Sequence, residues 1–207
     1  MHKNVKALFR RHAVAYFPPG LDVLEVGPDV EPSTLRMLAG YERGRWDSVD
    51  FASRTDVPLT YRAEEPYEYP IADESYDVVV ASSVLEHVPK IWRWMPELAR
   101  ITRSGGHVIT ISPVSWHYHL APIDCWRMYP EGARALFDDA GLDVVLSEWG
   151  SVDLEWLDRV TPGPARRRML WQRLSGVFGL WNAFTRLPPE GAFDTITVGR
   201  KRARGAA

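Results

Sequence analysis

The chain has 207 residues, of which 45% are hydrophobic and 25% are charged, and its formal net charge at pH 7 is −2. This composition is typical of one globular domain and excludes a disordered chain or a protein that coats nucleic acid. The single cysteine, Cys125, excludes an internal disulfide and a cysteine-based zinc cluster, so no metal site is expected. No run approaches the ~18 apolar residues of a membrane span, and residues 1–20 lack the apolar core of a secretory signal. We therefore expect a cytoplasmic protein.

Strand-like and helix-like segments alternate along the chain. In chain order, the hydrophobic patterns predict a helix over 4–16, a strand over 21–26, a helix over 33–41, strands over 46–51, 59–63 and 76–84, a helix over 90–103, a strand over 105–113, a helix over 130–141, and strands over 142–150 and 193–201. The run over 76–84 is rich in β-branched residues without alternation, which indicates a strand buried on both faces. Strands separated by crossover helices predict a three-layer α/β fold with a mostly parallel sheet.

Two residues at the ends of neighbouring predicted strands suggest a ligand site. Ligands of such sheets bind at the carboxyl ends of the strands, near the switch in strand order. Gly27 allows a tight turn and a close approach of the backbone after the first strand. Asp50 follows about 20 residues later at the tip of the next strand, where it can accept hydrogen bonds from both hydroxyls of a ribose. The alternative, that Asp50 only caps the turn after it, remains open.

Longer motifs make the prediction more specific. The segments "YEYPIADESYDVVVASSVLEHVPK" (67–90) and "ELARITRSGGHVITISP" (97–113) resemble the class I S-adenosylmethionine-dependent methyltransferases. The segment 112–145, which contains "HYHLAPIDCWRMYPEG", resembles small bacterial members in which a His- and Pro-containing loop leads into a Trp-Arg segment. This resemblance implies a Rossmann-like seven-stranded sheet with an antiparallel final strand. It also implies S-adenosylmethionine as the cofactor and S-adenosylhomocysteine as the product.

The resemblance assigns cofactor roles around the first strand. Glu25 and Gly27 match the first motif of the family, and Asp50 matches the acidic residue that grips the ribose. Pro28 and Asp29 stand where a dinucleotide-binding turn would continue with glycine. Because S-adenosylmethionine has no pyrophosphate, one glycine could suffice. Asp29 is then expected either to accept a hydrogen bond from the cofactor's ammonium group or to face solvent.

Further positions carry the remaining predicted roles. Glu65 falls where the family often has an acid near the adenine amino group, and Ser82 and Ser83 match the positions that line the methionine end. In the loop after the fifth strand, His119 and Asp124 are the candidate catalytic residues, since a base within hydrogen-bond reach would assist transfer to a hydroxyl.

Other interpretations of these residues remain open at this stage. Asp124 could instead pair with Arg127 or cap the turn before the next helix. Glu86 and His87, in the "VLEHV" segment, are interpreted mainly as structural. The segment 151–190 is predicted to be a helical insertion in a single domain spanning 1–207, with an apolar stripe covered by the domain itself or else by a dimer partner, a substrate lid or a membrane surface.

Three functions are consistent with the sequence. The first is methyl transfer to a small-molecule acceptor, with the hydroxyl of a sugar or a secondary metabolite favoured, and with no nucleic acid partner. The second is a catalytically silent relative that serves as a binding or scaffold protein. The third is an NAD-dependent dehydrogenase, which Gly27 and Asp50 would equally suit, although the second and third glycines of its turn are missing.

Overall fold

The computed structural model describes residues 1–51, 53–54, 56–120, 122–151 and 193–203. Seven strands form one sheet in the order β3-β2-β1-β4-β5-β7-β6. The strands are β1 (Asp22–Val26), β2 (Arg45–Phe51), β3 (Tyr61–Ala63), β4 (Tyr76–Ser82), β5 (Thr102–Ser115), β6 (Leu142–Gly150) and β7 (Phe193–Lys201). The pairs among β1 to β5 are parallel, whereas β7 is antiparallel to both β5 and β6. The predicted three-layer sheet with an antiparallel final strand is therefore confirmed.

Four α-helices flank the sheet in the described part of the chain. They are α1 (Lys3–Leu8), α2 (Thr34–Ala39), α3 (Ile91–Ile101) and α4 (Pro130–Asp139). The predicted helix over 4–16 is helical throughout but not uniform, because α1 continues as a π-helical segment, Phe9–Ala13, and a 3₁₀ turn, Val14–Tyr16. A further 3₁₀ turn, Leu85–His87, follows β4. No helix among the described residues has the length and apolar character needed to cross a bilayer.

The strand predicted over 105–113 begins earlier, at Thr102, and the pair Gly105 and Gly106 lies inside it. Gly105 has a φ of +78°, and a Cβ on Gly106 would lie 2.6 Å from the carbonyl oxygen of Asp77. The pairing of β4 with β5 shifts register between Tyr76 and Val78. The two glycines thus accommodate an irregularity within a continuous strand.

Two apolar layers hold the helices against the sheet. On one face, Val79 and Val108 pack in a cluster that includes Trp94 of α3 and Phe137 of α4. On the other face, Val78, Val80 and Ile109 pack in a cluster that includes Phe9 and Leu35. Consecutive strand residues therefore enter opposite layers, which explains why the β4 run lacks polar alternation.

The topology brings several chain segments to one edge of the sheet. From β1 the order runs to β2 and β3 on one side and to β4 and β5 on the other, so the strand order switches between β1 and β4. The carboxyl ends of these parallel strands share one edge, where a crevice forms. Residues 152–190 of the predicted insertion lie outside the described residues, and its roles as lid or dimer element stay predictions.

Candidate active site

A first cleft opens at the carboxyl ends of β1, β2 and β4. It has a volume of about 400 Å³, and its lining includes Gly27, Asp50, Arg54, Ser83 and His87. A narrow apolar extension continues from it between side chains of β1, β3 and the segment after β3. The sequence prediction of Gly27, Asp50 and Ser83 as neighbours therefore agrees with where these residues lie.

Gly27 forms the turn at the end of β1 and is the residue that brings the backbone to this cleft. Its φ is +69°, and its N–H donates to the carbonyl oxygen of Val49 at 2.9 Å. A Cβ at this position would lie 2.6 Å from Cγ2 of Val84, which also lines the cleft. Both the backbone conformation and the close packing thus require glycine.

Replacing Gly27 by Ala is expected to lower the free energy of unfolding by about 2 kcal/mol, because the left-handed backbone is strained and the new methyl overlaps Val84. Urea denaturation measures the change. Gly40→Ala is the matched control, since Gly40 has a φ of +62° but open space around the Cβ position. If Gly27→Ala loses no more unfolding free energy than Gly40→Ala, the close packing of Gly27 against Val84 is unimportant for stability.

Asp50 lies at the end of β2 and is held by a cation that the sequence reasoning missed. Its Oδ2 accepts from Nη1 of Arg54 at 2.6 Å, and its Oδ1 accepts from the N–H of Phe51 at 2.8 Å. Arg54 also donates to Asp56 at 3.1 Å. Asp50 lines the cleft but forms an ion pair with Arg54, which the sequence does not reveal because neither residue is in a helix.

Glu25 and Asp29 do not line the clefts described here, but support the loop that follows β1. Glu25 is buried, which raises its pKa to about 7, and it accepts hydrogen bonds from Oγ of Ser33 and, at 2.9 Å, from Nε1 of Trp46. Asp29 accepts from the backbone N–H of Thr34 at 2.9 Å and from its hydroxyl at 2.6 Å. Burial raises the pKa of Asp29, but these hydrogen bonds outweigh it and the net pKa is lowered. Both side chains thus stabilise the loop after β1 through hydrogen bonds to Ser33 and Thr34 at the start of α2.

The other three predicted cofactor residues, Glu65, Ser82 and Ser83, differ in their exposure and in whether they line a cleft. Glu65 is exposed and is absent from the lining of the first cleft and of its apolar extension. Ser82 is buried, and its Oγ has no hydrogen-bond partner among the described residues. Ser83 has a φ of +56°, which is rare for a residue with a side chain, and its N–H donates to the carbonyl oxygen of Ile111 at 2.8 Å. Such strain is common where a residue is held for a ligand.

A second cleft of about 400 Å³ adjoins the first. Its lining includes His2, Ser83, Glu86, Trp116 and His119. Ser83 lines both clefts and therefore marks the place where they meet. The rings of His2 and Trp116 stack at a centroid distance of 4.9 Å and form part of the wall.

His119 and Asp124 lie together, as their predicted roles require, but their environments differ. Asp124 is 1% exposed and forms two hydrogen bonds with the guanidinium of Arg127, at 2.6 and 2.7 Å. It also accepts from the N–H of His119 at 2.8 Å and lies 3.4 Å from Nδ1 of that ring. The hydrogen bonds from Arg127 hold the pKa of Asp124 well below its usual range. Asp124 is thus a stable anion suited to orienting His119, whereas His119 reaches the second cleft.

Glu86 is the main residue of the second cleft that the sequence interpretation set aside. Its side chain is 2% exposed, and burial raises its pKa to about 8. Oε1 lies 3.9 Å from Nε2 of His87, whereas Oε2 has no hydrogen-bond partner among the described residues. The only sequence signal was an acid inside the apolar "SSVLEHV" segment, which does not reveal the depth of its burial.

Comparisons with known proteins agree with this geometry. Residues 27–110 match the family described as a methyltransferase domain. An uncharacterised methyltransferase of Mycobacteroides abscessus is 38% identical over 84 residues, which are 39% of this chain and 31% of that protein. The chain therefore spans about a third of the length of this relative.

Solved structures with different activities share the fold. Phosphoethanolamine N-methyltransferase 2 of Haemonchus contortus, in complex with S-adenosylmethionine, aligns with a TM-score of 0.58 at 12% identity over 96% of this chain and 52% of that chain. The [4+2]-cyclase SpnF aligns with a TM-score of 0.59 at 17% identity over 96% of this chain and 80% of that chain. At such identities the likeness is one of fold, which does not determine the reaction. The strand order and the match of residues 27–110 to a methyltransferase domain thus support the resemblance to class I S-adenosylmethionine-dependent methyltransferases.

Proposed function

We propose that this protein transfers a methyl group from S-adenosylmethionine to a small-molecule acceptor, with the hydroxyl of a sugar or secondary metabolite as the favoured acceptor. The observation that carries the proposal is the pair of clefts that meet at Ser83. One cleft has the glycine turn and the strand-end acid of the family, and the other has titratable side chains. A small molecule suits a cleft of about 400 Å³, and the net charge of −2 does not favour nucleic acid. We propose the cytoplasm as its location.

The residues of the first cleft fit the cofactor. Gly27 leaves the backbone open to the amino-acid moiety, and the carboxylate of Asp50 can accept hydrogen bonds from ribose hydroxyls. The apolar extension, which includes Val26, Ala63 and Val88, suits the adenine ring. When bound, the cofactor supplies an activated methyl group on a sulfonium sulfur. The predicted ribose role of Asp50 requires it to share or exchange the hydrogen bond it makes with Arg54.

The side chains of the second cleft would orient the acceptor. In-line displacement depends on placing the nucleophile close to the methyl carbon and opposite the leaving sulfur. The stacked rings of His2 and Trp116 offer a flat wall, and His119 and Glu86 offer polar contacts. The buried ion pair of Asp124 and Arg127 fixes the loop that carries His119. We propose that His119 contacts the acceptor and that Asp124 acts mainly by positioning it.

A second candidate function is a catalytically silent binding protein. The observation that favours it is the ion pair of Asp50 with Arg54, because it occupies the carboxylate that a ribose would need. This pair lies at the surface of a cleft, where such pairs contribute about 1 kcal/mol or less. A bound ribose, with two hydroxyls, could therefore displace Arg54 at modest cost.

Ligand-dependent thermal stabilisation tests the proposed function. S-adenosylhomocysteine at about 100 times its Kd should add about 2.7 kcal/mol of stability and raise the melting temperature. NAD should raise it instead if the protein is a dehydrogenase. Neither compound should act on a silent relative that has lost cofactor binding, and that result would contradict the proposal.

The Asp50→Asn variant tests the ribose assignment. We expect S-adenosylhomocysteine to bind about 10–100 times more weakly, because hydrogen bonds to a charged acceptor are replaced by weaker ones. Asp56→Asn is the matched control, since Asp56 shares Arg54 as a partner but is absent from the cleft lining, and its Kd should be unchanged. Isothermal titration calorimetry gives both constants. Equal affinity of the Asp50 variant and the wild type would show that the ribose is held elsewhere.

A further inference from the structure

Glu86 lines the second cleft and has a buried carboxyl oxygen without a hydrogen-bond partner in the described part of the chain. The residue belongs to the 3₁₀ turn Leu85–His87, which the N–H of Cys125 holds by donating to the carbonyl oxygen of Glu86 at 2.7 Å. The side chain is 2% exposed, Oε2 lacks a hydrogen-bond partner among the described residues, and the residue lines the cleft. Leaving a buried polar atom unpaired is costly, and such atoms call for an explanation such as a ligand.

Burial is the main influence on the pKa of Glu86, and neighbouring groups modify it. Burial raises the pKa to about 8, a hydrogen bond from its own backbone N–H and the charge of Arg127 act against this rise, and the carboxylates of Asp194 and Asp124 add to it. Nε2 of His87 lies 3.9 Å from Oε1, and His2 and His119 line the same cleft. Asp194 is itself engaged, since it accepts from Nδ2 of Asn4 at 2.6 Å and lies 3.3 Å from Nε2 of His2. Of these three acids, Glu86 is the one that lines the second cleft, and its pKa is about 8.

We propose that Glu86 is the catalytic residue that takes the proton from the acceptor's nucleophile during methyl transfer. This inference rests on the proposed function. The lone pair of the nucleophile forms a bond to the methyl carbon while the carbon–sulfur bond breaks and its electron pair stays on sulfur. The proton of the nucleophile passes to the ionised carboxylate of Glu86 at Oε2. The products are the methylated acceptor, S-adenosylhomocysteine and a protonated Glu86, so that atoms and charge balance.

The position of Glu86 also defines the class of acceptor. Its role requires a nucleophile that carries a hydrogen, that is, a hydroxyl or an amine. Among the described residues that line the second cleft, none is lysine or arginine. The described lining thus offers no lysine or arginine side chain to an anionic carboxylate or phosphate nucleophile, and the terminal ammonium of Met1, which also lines the cleft, lies 4.0 Å from Oδ2 of Asp29. A base whose pKa is close to the working pH is efficient in such proton transfers.

Sinefungin tests this inference without knowledge of the acceptor. This cofactor analogue carries an amine-bearing carbon in place of the methylated sulfur, so its ammonium group occupies the region of the transferred methyl. We expect the wild type to bind sinefungin about tenfold or more tightly than S-adenosylhomocysteine, because the ammonium pairs with Glu86. Glu86→Gln should lose this preference while its Kd for S-adenosylhomocysteine stays unchanged. Glu131→Gln, an exposed position on α4, is the control and should keep the preference.

The pH dependence gives a readout that a structural role would not produce. The preference for sinefungin should grow from pH 6 to pH 8 in the wild type, because a larger fraction of Glu86 is ionised at the higher pH. In Glu86→Gln the preference should not change over this range. If Glu86→Gln does not fold, Glu86→Asp takes its place as the test variant. Because it keeps a carboxylate, it should retain part of the preference for sinefungin and part of the pH dependence of that preference. The inference is overturned if Glu86→Gln still prefers sinefungin as strongly as the wild type does. It is also overturned if the preference of the wild type or of Glu86→Asp does not change with pH. Either result leaves the proposed function intact. Failure of the wild type to bind S-adenosylhomocysteine overturns the proposed function and this inference with it.

Discussion

The Asp124→Asn variant is expected to lose about 2–3 kcal/mol of unfolding free energy, because it removes the charge of the buried carboxylate that accepts two hydrogen bonds from the guanidinium of Arg127. Asp124 is 1% exposed and Arg127 is 25% exposed, so solvent can screen only part of the loss. The variant also loses the acceptor for the N–H of His119. We therefore expect the loop between β5 and α4 to loosen together with the fall in stability.

Urea denaturation of both proteins measures this loss. Because the folded-state pKa of Asp124 is depressed, its contribution is present above the usual aspartate pKa and is lost as the pH falls. The difference between wild type and variant should thus shrink below about pH 4. Asp143→Asn is the control, since it removes an exposed partner of Arg202, and its urea midpoint should match the wild type. A midpoint for Asp124→Asn as high as that of the control would contradict the buried ion pair.

The Glu86→Gln variant should become more stable relative to the wild type as the pH rises. The pKa of Glu86 is raised from its usual 4.5 to about 8 in the folded protein. Between these values the unfolded chain has released the proton while the folded protein still holds it, so the wild type loses about 1.4 kcal/mol per pH unit. Glutamine resembles the neutral acid and has no such loss. From pH 5 to pH 8, the stability difference should change by about 3–4 kcal/mol in favour of the variant.

Chemical denaturation of the wild type and the variant at several pH values between 5 and 8 tests this expectation. Comparing the two proteins at each pH cancels the contributions of other groups, provided that they titrate alike. Glu131→Gln, which is exposed on α4, should show a constant difference from the wild type. A constant difference for Glu86→Gln would mean that Glu86 is ionised in the folded protein throughout this range.

The fold was predictable because local patterns and the resemblance agreed. The β-branched run of β4 had to be buried on both faces, and the two apolar layers confirm this. Gly27 was predictable because a turn at the end of β1 that brings the backbone to a ligand requires a positive φ. The start of β5 is at Thr102 rather than at the predicted residue 105, because a pair of glycines can permit an irregularity within a strand.

The candidate site was predictable in position but less so in detail. The resemblance identified Asp50 as a cleft residue, but the pairing with Arg54 depends on how the chain folds back after β2. The pairing of Asp124 with Arg127 was one of two alternatives, and only the structure distinguishes them. The importance of Glu86 was missed because a sequence pattern gives the type of a residue but not the partners of its two carboxyl oxygens.

We propose that the first cleft binds S-adenosylmethionine and presents its methyl group to the second cleft. A crystal structure of the complex with S-adenosylhomocysteine would test this claim. We predict ribose hydroxyls within about 3 Å of the carboxylate of Asp50, the amino-acid moiety beside Gly27, and the sulfur facing the second cleft at Ser83. A cofactor bound away from Gly27 and Asp50, or with its sulfur directed away from the cleft that contains Glu86, would contradict the claim.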